Sequence, residues 1–243
     1  LKAHNIHINY DAAHVAGLIA GGEFQDPLRE GVDTMTMSTH KTLFGPQGGL
    51  VLAFEKDAES IKKAIFPGLT SSHHIHHMAA KAVTFAEALE FGKDYAAQTI
   101  KNAKALALTL NDLGLKILGE KKGFTQSHQV VVNVLDYGDG GKIEADLEKA
   151  NIIVNRQLIP GDIKAKRHYM HPGGIRLGTS EVTRLGMKES EMKQIASFIK
   201  NIIIDKKDAK NVTKQVVEFR KNYQKTQYCF DNKLGAYEYV KLR

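Results

Sequence analysis

Three short β-prone runs near the start of the chain restrict its fold more than any other feature. "NIHINYD" alternates Ile6, Ile8 and Tyr10 on one side, a period-two strand pattern that ends at Asp11. "GVDTMTMSTHK" is a second such run, and "GGLVLAF", after a glycine-rich turn, is a third. Intervening segments such as "AAHVAGLIAGG" predict an α/β sheet. In open sheets of that class ligands gather at the carboxyl ends of strands. Asp11 and Lys41 both fall at such ends.

From about His73 the pattern turns helical. "MAAKAVTFAEALEFG" predicts one helix stopping at Gly92. "DYAAQTIKNAKALALTLNDLG" predicts another, with Ile100, Ala103, Ala107, Leu110 and Leu113 on one face and Gly114 as its cap. Strand-like runs follow in "LKILGE", "QVVVNVLD", "IIVN" and "GGIRLGTS", with a short helix in "GGKIEADLEKAN". "MKESEMKQIASFIKNIII" closes this part, with Met192, Ile195, Phe198, Ile199 and Ile202 at helical spacing. The expected division is 1–95 as part of a large α/β domain, 96–204 as a smaller α+β domain, and 205–243 as a charged extension. Within that extension Val212, Val216, Phe219 and Tyr223 predict a docked amphipathic helix.

Composition narrows the function classes. With 243 residues, 42% hydrophobic and 25% charged, the chain can bury a core of ordinary size. No apolar run is long enough to cross a bilayer, no leader-like segment argues for secretion, and the single cysteine, Cys229, suits a reducing cytoplasm. Nothing in the sequence around Cys229 marks it as a nucleophile. The net charge of +7 is carried by scattered lysines rather than an arginine-rich stripe. It favours small anions such as phosphates and carboxylates over nucleic acid. The chain starts at Leu1 and almost at once enters a strand-like run, so it is expected to lack an N-terminal part.

Asp11, His14 and Lys41 are individually weak signals. Together, at the ends of neighbouring expected strands, they match the needs of pyridoxal phosphate chemistry. A lysine amine forms a Schiff base with the aldehyde, and a carboxylate keeps the pyridine nitrogen protonated. Ser38 or Thr39 offers a hydroxyl for the phosphate or the lysine side of the ring. On residue type alone, a surface lysine ahead of a loop is an equal reading.

The segment "DAAHVAGLIAGG…STHKTLFGPQGGLVLAF" resembles serine hydroxymethyltransferases. The likeness continues through "FPGLTSSHHIHHMAAKAV", "ANIIVNRQLIPGD" and "GGIRLGTSEVTRLGMKESEM", in order, to about residue 204. The histidine-rich segment is more similar to archaeal members. The resemblance implies part of a fold-type I pyridoxal phosphate enzyme: a mixed sheet with helices, then a small α+β domain. It also implies interconversion of serine and glycine, with tetrahydrofolate or tetrahydromethanopterin as one-carbon carrier, in a cytoplasmic homodimer with shared sites. Lys41 would then hold the cofactor, Asp11 pair with the pyridine nitrogen and His14 lie near the ring's phenolic oxygen. His40 and Ser38 would shape the phosphate end, and Arg176 grip the amino-acid carboxylate. A bidentate guanidinium suits that last task.

Some positions depart from the family pattern. Ser71 and Ser72 stand where bacterial relatives have a glycine pair whose backbone amides serve the neighbouring subunit's cofactor phosphate. Gln157 replaces an asparagine near the carrier ring. His73, His74, His76 and His77 lack a companion carboxylate, so they are read as lining a subunit interface and the cofactor phosphate, with no metal. The family's ring-stacking side chain and proton-transferring glutamate have no counterpart here. Two rivals stand beside the transferase: a β-hydroxy-amino-acid aldolase such as a threonine aldolase, and a non-catalytic interaction protein of the same fold.

Overall fold

The structure, a computed structural model, describes residue 4, residues 6–231, residue 233 and residues 235–237. Leu1, on which the expectation of missing upstream sequence rests, lies outside the described residues. The chain divides into two compact units between Ala97 and Gln98.

In the first unit, β1 (Asn9–Asp11), β2 (Thr34–Ser38) and β3 (Gly49–Ala53) form one sheet in that order. β1 and β2 are parallel, with Asp11 opposite Thr36; β2 and β3 are antiparallel, with Ser38 opposite Gly49. β1 is shorter than its alternation suggests, because only its last residues pair with β2. Helix α1 (Ala16–Ala20) follows β1, and α2 (Glu55–Lys63) follows β3. Ala12, Ala16, Met35, Met37 and Leu43 make the buried core of this unit.

Two glycines set how closely its backbones approach. A Cβ on Gly17 of α1 would come within 2.0 Å of the Thr42 carbonyl oxygen, so the helix rests directly on the turn after β2. A Cβ on Gly21 would meet the Gly92 carbonyl oxygen at 2.6 Å and Ala96 Cβ at 2.5 Å.

Helix α3 runs unbroken from Ile75 to Asp112, so the expected stop at Gly92 is wrong. A glycine inside a helix costs only about 1 kcal/mol relative to alanine. The helix formers on both sides carry α3 past it. The real stop is at Gly114, whose φ is 96°. The Gly114 and Leu115 N–H groups return to the Asn111 and Leu110 carbonyls, at 2.9 and 3.0 Å. Leu110 and Leu115 are both buried, which completes a Schellman cap.

The second unit is an antiparallel sheet, β4 (Lys116–Ile117), β5 (Gln129–Asn133), β7 (Gly174–Gly178) and β6 (Asn155–Gln157) in spatial order. β6 begins three residues later than "IIVN" predicts, where pairing with β7 starts at Asn155 opposite Arg176. Val130, Val132, Ile175 and Leu177 point to one side and are buried. That side joins a continuous core with α4 (Gly140–Glu148), α6 (Glu189–Ile203) and α7 (Ala209–Arg220). α7 contributes Val212 and Val216 to this core, and its Phe219 ring meets Phe198 edge-on at 5.7 Å. α5 (Ser180–Arg184) follows β7 directly. Among the described residues, no helix is long and apolar enough to cross a membrane.

Candidate active site

The parallel pairing of β1 and β2 puts their carboxyl ends at one edge of the first unit's sheet. Asp11 is the last residue of β1, with its Oδ1 accepting the Ala13 N–H at 2.9 Å. His14 follows in the turn leading to α1. Lys41 lies just beyond β2, half-buried, with its Nζ 3.4 Å from His14 Nε2. An amine and an imidazole are thus in contact, at the edge where the Asp11 carboxylate ends its strand.

The backbone through Lys41 is fixed from both sides. Thr39 and Thr42 are completely buried. The Thr39 hydroxyl donates to the Pro46 carbonyl at 2.6 Å, and its backbone N–H and C=O close on Gly48 and Gly45 at 3.0 and 2.7 Å. That hydroxyl is therefore committed to the turn, which leaves Ser38 as the better phosphate candidate of the two. Thr42 Oγ1 accepts the Gly17 N–H at 3.0 Å and donates to the His14 carbonyl at 2.8 Å. One side chain ties the lysine turn to both α1 and the histidine. Nothing in the sequence singles out Thr42, because its importance lies in contacts with Gly17 and His14 far back along the chain.

Helix α3 backs the same turn. Lys81 Nζ donates to the Gly49 carbonyl at 3.3 Å, and Thr84 lies against Gly45. The remaining first-unit candidates are placed less centrally. Ser38 is half-buried at the end of β2 and His40 is exposed beside Lys41. Ser71 and Ser72 lie exposed ahead of α3, and no hydrogen bond among the described residues joins them to Lys41. The rings of His74, His76 and His77 cluster 4.4 to 5.5 Å apart. Desolvation pushes the His77 imidazole below its ordinary pKa, and the charges of His76, His74 and Lys81 push it the same way. Among the described residues no group of three or more His, Cys, Asp or Glu side chains is arranged to hold a metal.

Arg176 belongs to the second unit. It lies on β7, on the face opposite the core, half-buried, and its guanidinium donates to Asn155 Oδ1 at 3.3 Å. No carboxylate among the described residues forms an ion pair with it. The register puts Asn155, Gln157, Asn133 and Gln129 on the same face, so polar side chains surround Arg176 there, with Val131 directly opposite it as the apolar member. Gln157 turns its Nε2 back to the Leu158 carbonyl at 3.0 Å. Asn155 was not singled out from the sequence, although its pairing with Arg176 makes it the residue that aims the guanidinium.

The chemistry of these donors fits pyridoxal phosphate. A lysine amine can take an aldehyde, and a carboxylate at the adjoining strand end suits a pyridine nitrogen. An imidazole beside the amine suits the polar ring edge.

Comparison with known proteins agrees. The family model for serine hydroxymethyltransferase matches residues 2–199. The serine hydroxymethyltransferases of Nitrosopumilus maritimus (strain SCM1) and Cenarchaeum symbiosum (strain A) are 77% and 72% identical over the whole chain. That of Methanocella arvoryzae is 53% identical over 96% of it. The chain spans only about half of each, 55%, 55% and 54%. Among solved structures, an L-threonine transaldolase from Pseudomonas fluorescens, described as in internal aldimine state, is similar with a TM-score of 0.84 at 36% identity. The likeness covers 94% of this chain and 52% of that one. With the mixed sheet and its helices, it shows the fold-type I α/β class that the sequence predicts. The match over residues 2–199 and the identity to archaeal relatives along the entire chain show that it belongs to the serine hydroxymethyltransferase family.

Proposed function

We propose that this chain forms the cofactor-anchoring and substrate-gripping part of a pyridoxal phosphate-dependent hydroxymethyltransferase. It would interconvert serine and glycine, with a reduced pterin such as tetrahydrofolate or tetrahydromethanopterin as one-carbon carrier. The observation that carries this reading is the Lys41 amine, held between two buried threonines and 3.4 Å from His14 at the Asp11 end of the sheet.

When bound, pyridoxal phosphate supplies an aldehyde for an amine and a ring that accepts an electron pair from a substrate carbon. The chain's residues supply the rest. Lys41 is the amine. Asp11 holds a proton on the ring nitrogen, which keeps the ring an effective electron acceptor. His14, in contact with the Lys41 nitrogen, orients that amine and presents an N–H or a lone pair to the ring edge. Ser38, His40, Ser71 and Ser72 are the candidates for the phosphate. Arg176 takes the amino-acid carboxylate in two parallel hydrogen bonds, with Asn155 fixing the plane of the guanidinium. Family membership supports a homodimer with shared sites and a cytoplasmic setting.

The test is spectroscopic. Added pyridoxal phosphate is expected to give the visible absorption of the lysine-bound cofactor, and Lys41→Ala to abolish it; an unchanged band in that variant overturns the assignment. A second reading, an aldolase or transaldolase acting on β-hydroxy amino acids, gains support from the threonine transaldolase neighbour. Serine cleavage measured with and without tetrahydrofolate separates the two. Equal rates favour the aldolase.

A further inference from the structure

Phe44 stands three residues after Lys41 with a φ of 48°, in the left-handed region. A bulky aromatic residue rarely accepts that backbone, and it persists only where the surroundings impose it. Glycine would take the same φ at no steric cost, yet the chain carries its glycine one position later, at Gly45. We propose that Phe44 and Tyr95 are a positioning pair. The Tyr95 ring, on α3, holds Phe44 in this conformation and so sets the turn that presents the Lys41 amine. The inference rests on the reading of Lys41 as the cofactor anchor and adds what puts that anchor in place.

The reversal at Phe44 is what closes the turn. Its N–H donates back to the Lys41 carbonyl at 3.0 Å, and the next N–H, of Gly45, returns to the Thr39 carbonyl at 2.7 Å. Lys41 is thereby enclosed between two bonded ends. With an ordinary negative φ at residue 44, the Gly45 N–H would swing away from Thr39 and the enclosure would open. The two rings meet edge-on, with centroids 4.9 Å apart and planes at 80°. That is a favourable arrangement for aromatic side chains. Tyr95 is 1% exposed, so packing fixes its ring, and the half-buried Phe44 takes its place from it.

The same stripe of α3 touches the turn at two further points. At about 100° per residue, Lys81, Thr84 and Tyr95 fall within about 60° of one another around the helix. Thr84 is buried, and a Cβ on Gly45 would meet its Cγ2 at 2.9 Å. Lys81 Nζ donates to the Gly49 carbonyl at 3.3 Å, and a Cβ on Gly48 would come within 2.5 Å of that nitrogen. Gly45 and Gly48 are the residues whose backbones bond Thr39. All of these residues belong to the first unit. Hydrogen bonds within the turn close it, and α3 sets where the closed turn stands.

Titration of the protein with pyridoxal phosphate tests this, read from the Lys41-dependent visible absorption, with each variant's unfolding midpoint measured alongside. Phe44→Ala keeps the left-handed cost and removes the ring that offsets it. The turn then spends less time in its competent form, and the apparent affinity falls by that fraction. A loss of about ten-fold is expected, the strong end of what an aromatic pair contributes. Phe44→Gly, free to adopt this φ, should lose only about three-fold. Tyr95→Leu should match Phe44→Ala, and the two combined should be no weaker than either alone, since both remove one contact. Tyr95→Phe keeps the ring and should bind as the wild type does, whatever its midpoint. Lys81→Met alters no core side chain and should cost about three-fold, which Lys81→Arg recovers.

Wild-type affinity in Phe44→Ala and Tyr95→Leu, with only the midpoint lowered, makes the pair structural and overturns the proposal while Lys41 stays the anchor. Weaker binding by Phe44→Gly than by Phe44→Ala overturns it too. So does a Tyr95→Phe loss as large as that of Tyr95→Leu, or losses that add in the double variant. If a ring variant does not fold, Phe44→Gly and Lys81→Met decide, and unchanged affinity in both overturns the proposal. A wild type without Lys41-dependent absorption overturns the anchor reading, and this proposal with it.

Discussion

The Lys41 turn and the Arg176 strand achieve rigidity by opposite means. Around Lys41 the apolar cluster among the described residues is thin, made of Ala12, Ala16, Met35, Met37 and Leu43. What closes the turn is polar and local: two buried threonine hydroxyls, backbone pairs between Thr39, Gly45 and Gly48, and a glycine pressed against the Thr42 carbonyl. Arg176 sits instead on a sheet whose other face joins a continuous apolar core from Ala103 to Val216. Among the described residues its side chain makes one hydrogen bond, at 3.3 Å to Asn155. A site can therefore be fixed by hydrogen bonds with little burial, or by burial with few hydrogen bonds. The two kinds of support fail in different experiments.

The largest expected effect tests the second kind. Ile175 lies next to Arg176, on the opposite face, and is completely buried. Ile175→Ala is expected to cost about 2–5 kcal/mol in denaturant unfolding. It should leave the Lys41-dependent cofactor absorption unchanged. A loss under 1 kcal/mol would mean that the core is not what supports the β7 strand.

Thr42→Val tests the first kind. It keeps the shape but removes an acceptor from the Gly17 N–H and a donor from the His14 carbonyl. Leaving those groups unpaired is expected to cost about 1–3 kcal/mol. Cofactor affinity should fall with it, because His14 is no longer fixed against Lys41, and Thr42→Ser should restore both. If valine weakens stability and cofactor binding is untouched, the threonine is structural only.

The smallest effect concerns a helix cap in the second unit. Asp139 caps α4 by accepting the Lys142 N–H at 3.0 Å. That bond holds its carboxyl below the ordinary range, with His171 adding to the effect against partial desolvation. Asp139→Ala is expected to cost about 1 kcal/mol at neutral pH. A group with a depressed folded-state pKa stabilises above its unfolded value and loses that contribution as pH falls through the folded one. The difference between wild type and variant should therefore be constant above about pH 5 and vanish in strong acid. A difference that persists there would assign the cap to packing instead.

Much of this organisation is legible in the sequence, but unevenly. The strand runs and the α6 face are readable because apolar spacing reports burial directly, as Met192, Ile199 and Ile202 show. The lysine turn is readable because amine, imidazole and carboxylate are rare together at strand ends. Gly92 misleads because a glycine's helix penalty is small beside the packing of a long helix, and the sequence does not reveal that packing. The start of β6 shifts because pairing with β7, and not the apolar character of "IIVN", decides where the strand begins. Thr42 and Asn155 escape notice for a further reason. Their importance lies in what they touch far along the chain, and neither residue type nor spacing encodes that contact.

The two buried threonines also set a timescale. With Thr39 and Thr42 hydrogen-bonded into the turn, the Lys41 amine can swing on its own methylene torsions without any loop opening. Rotamer changes of that kind take on the order of picoseconds to nanoseconds, so in the proposed role bond-making at the amine, and not its movement, would set the pace.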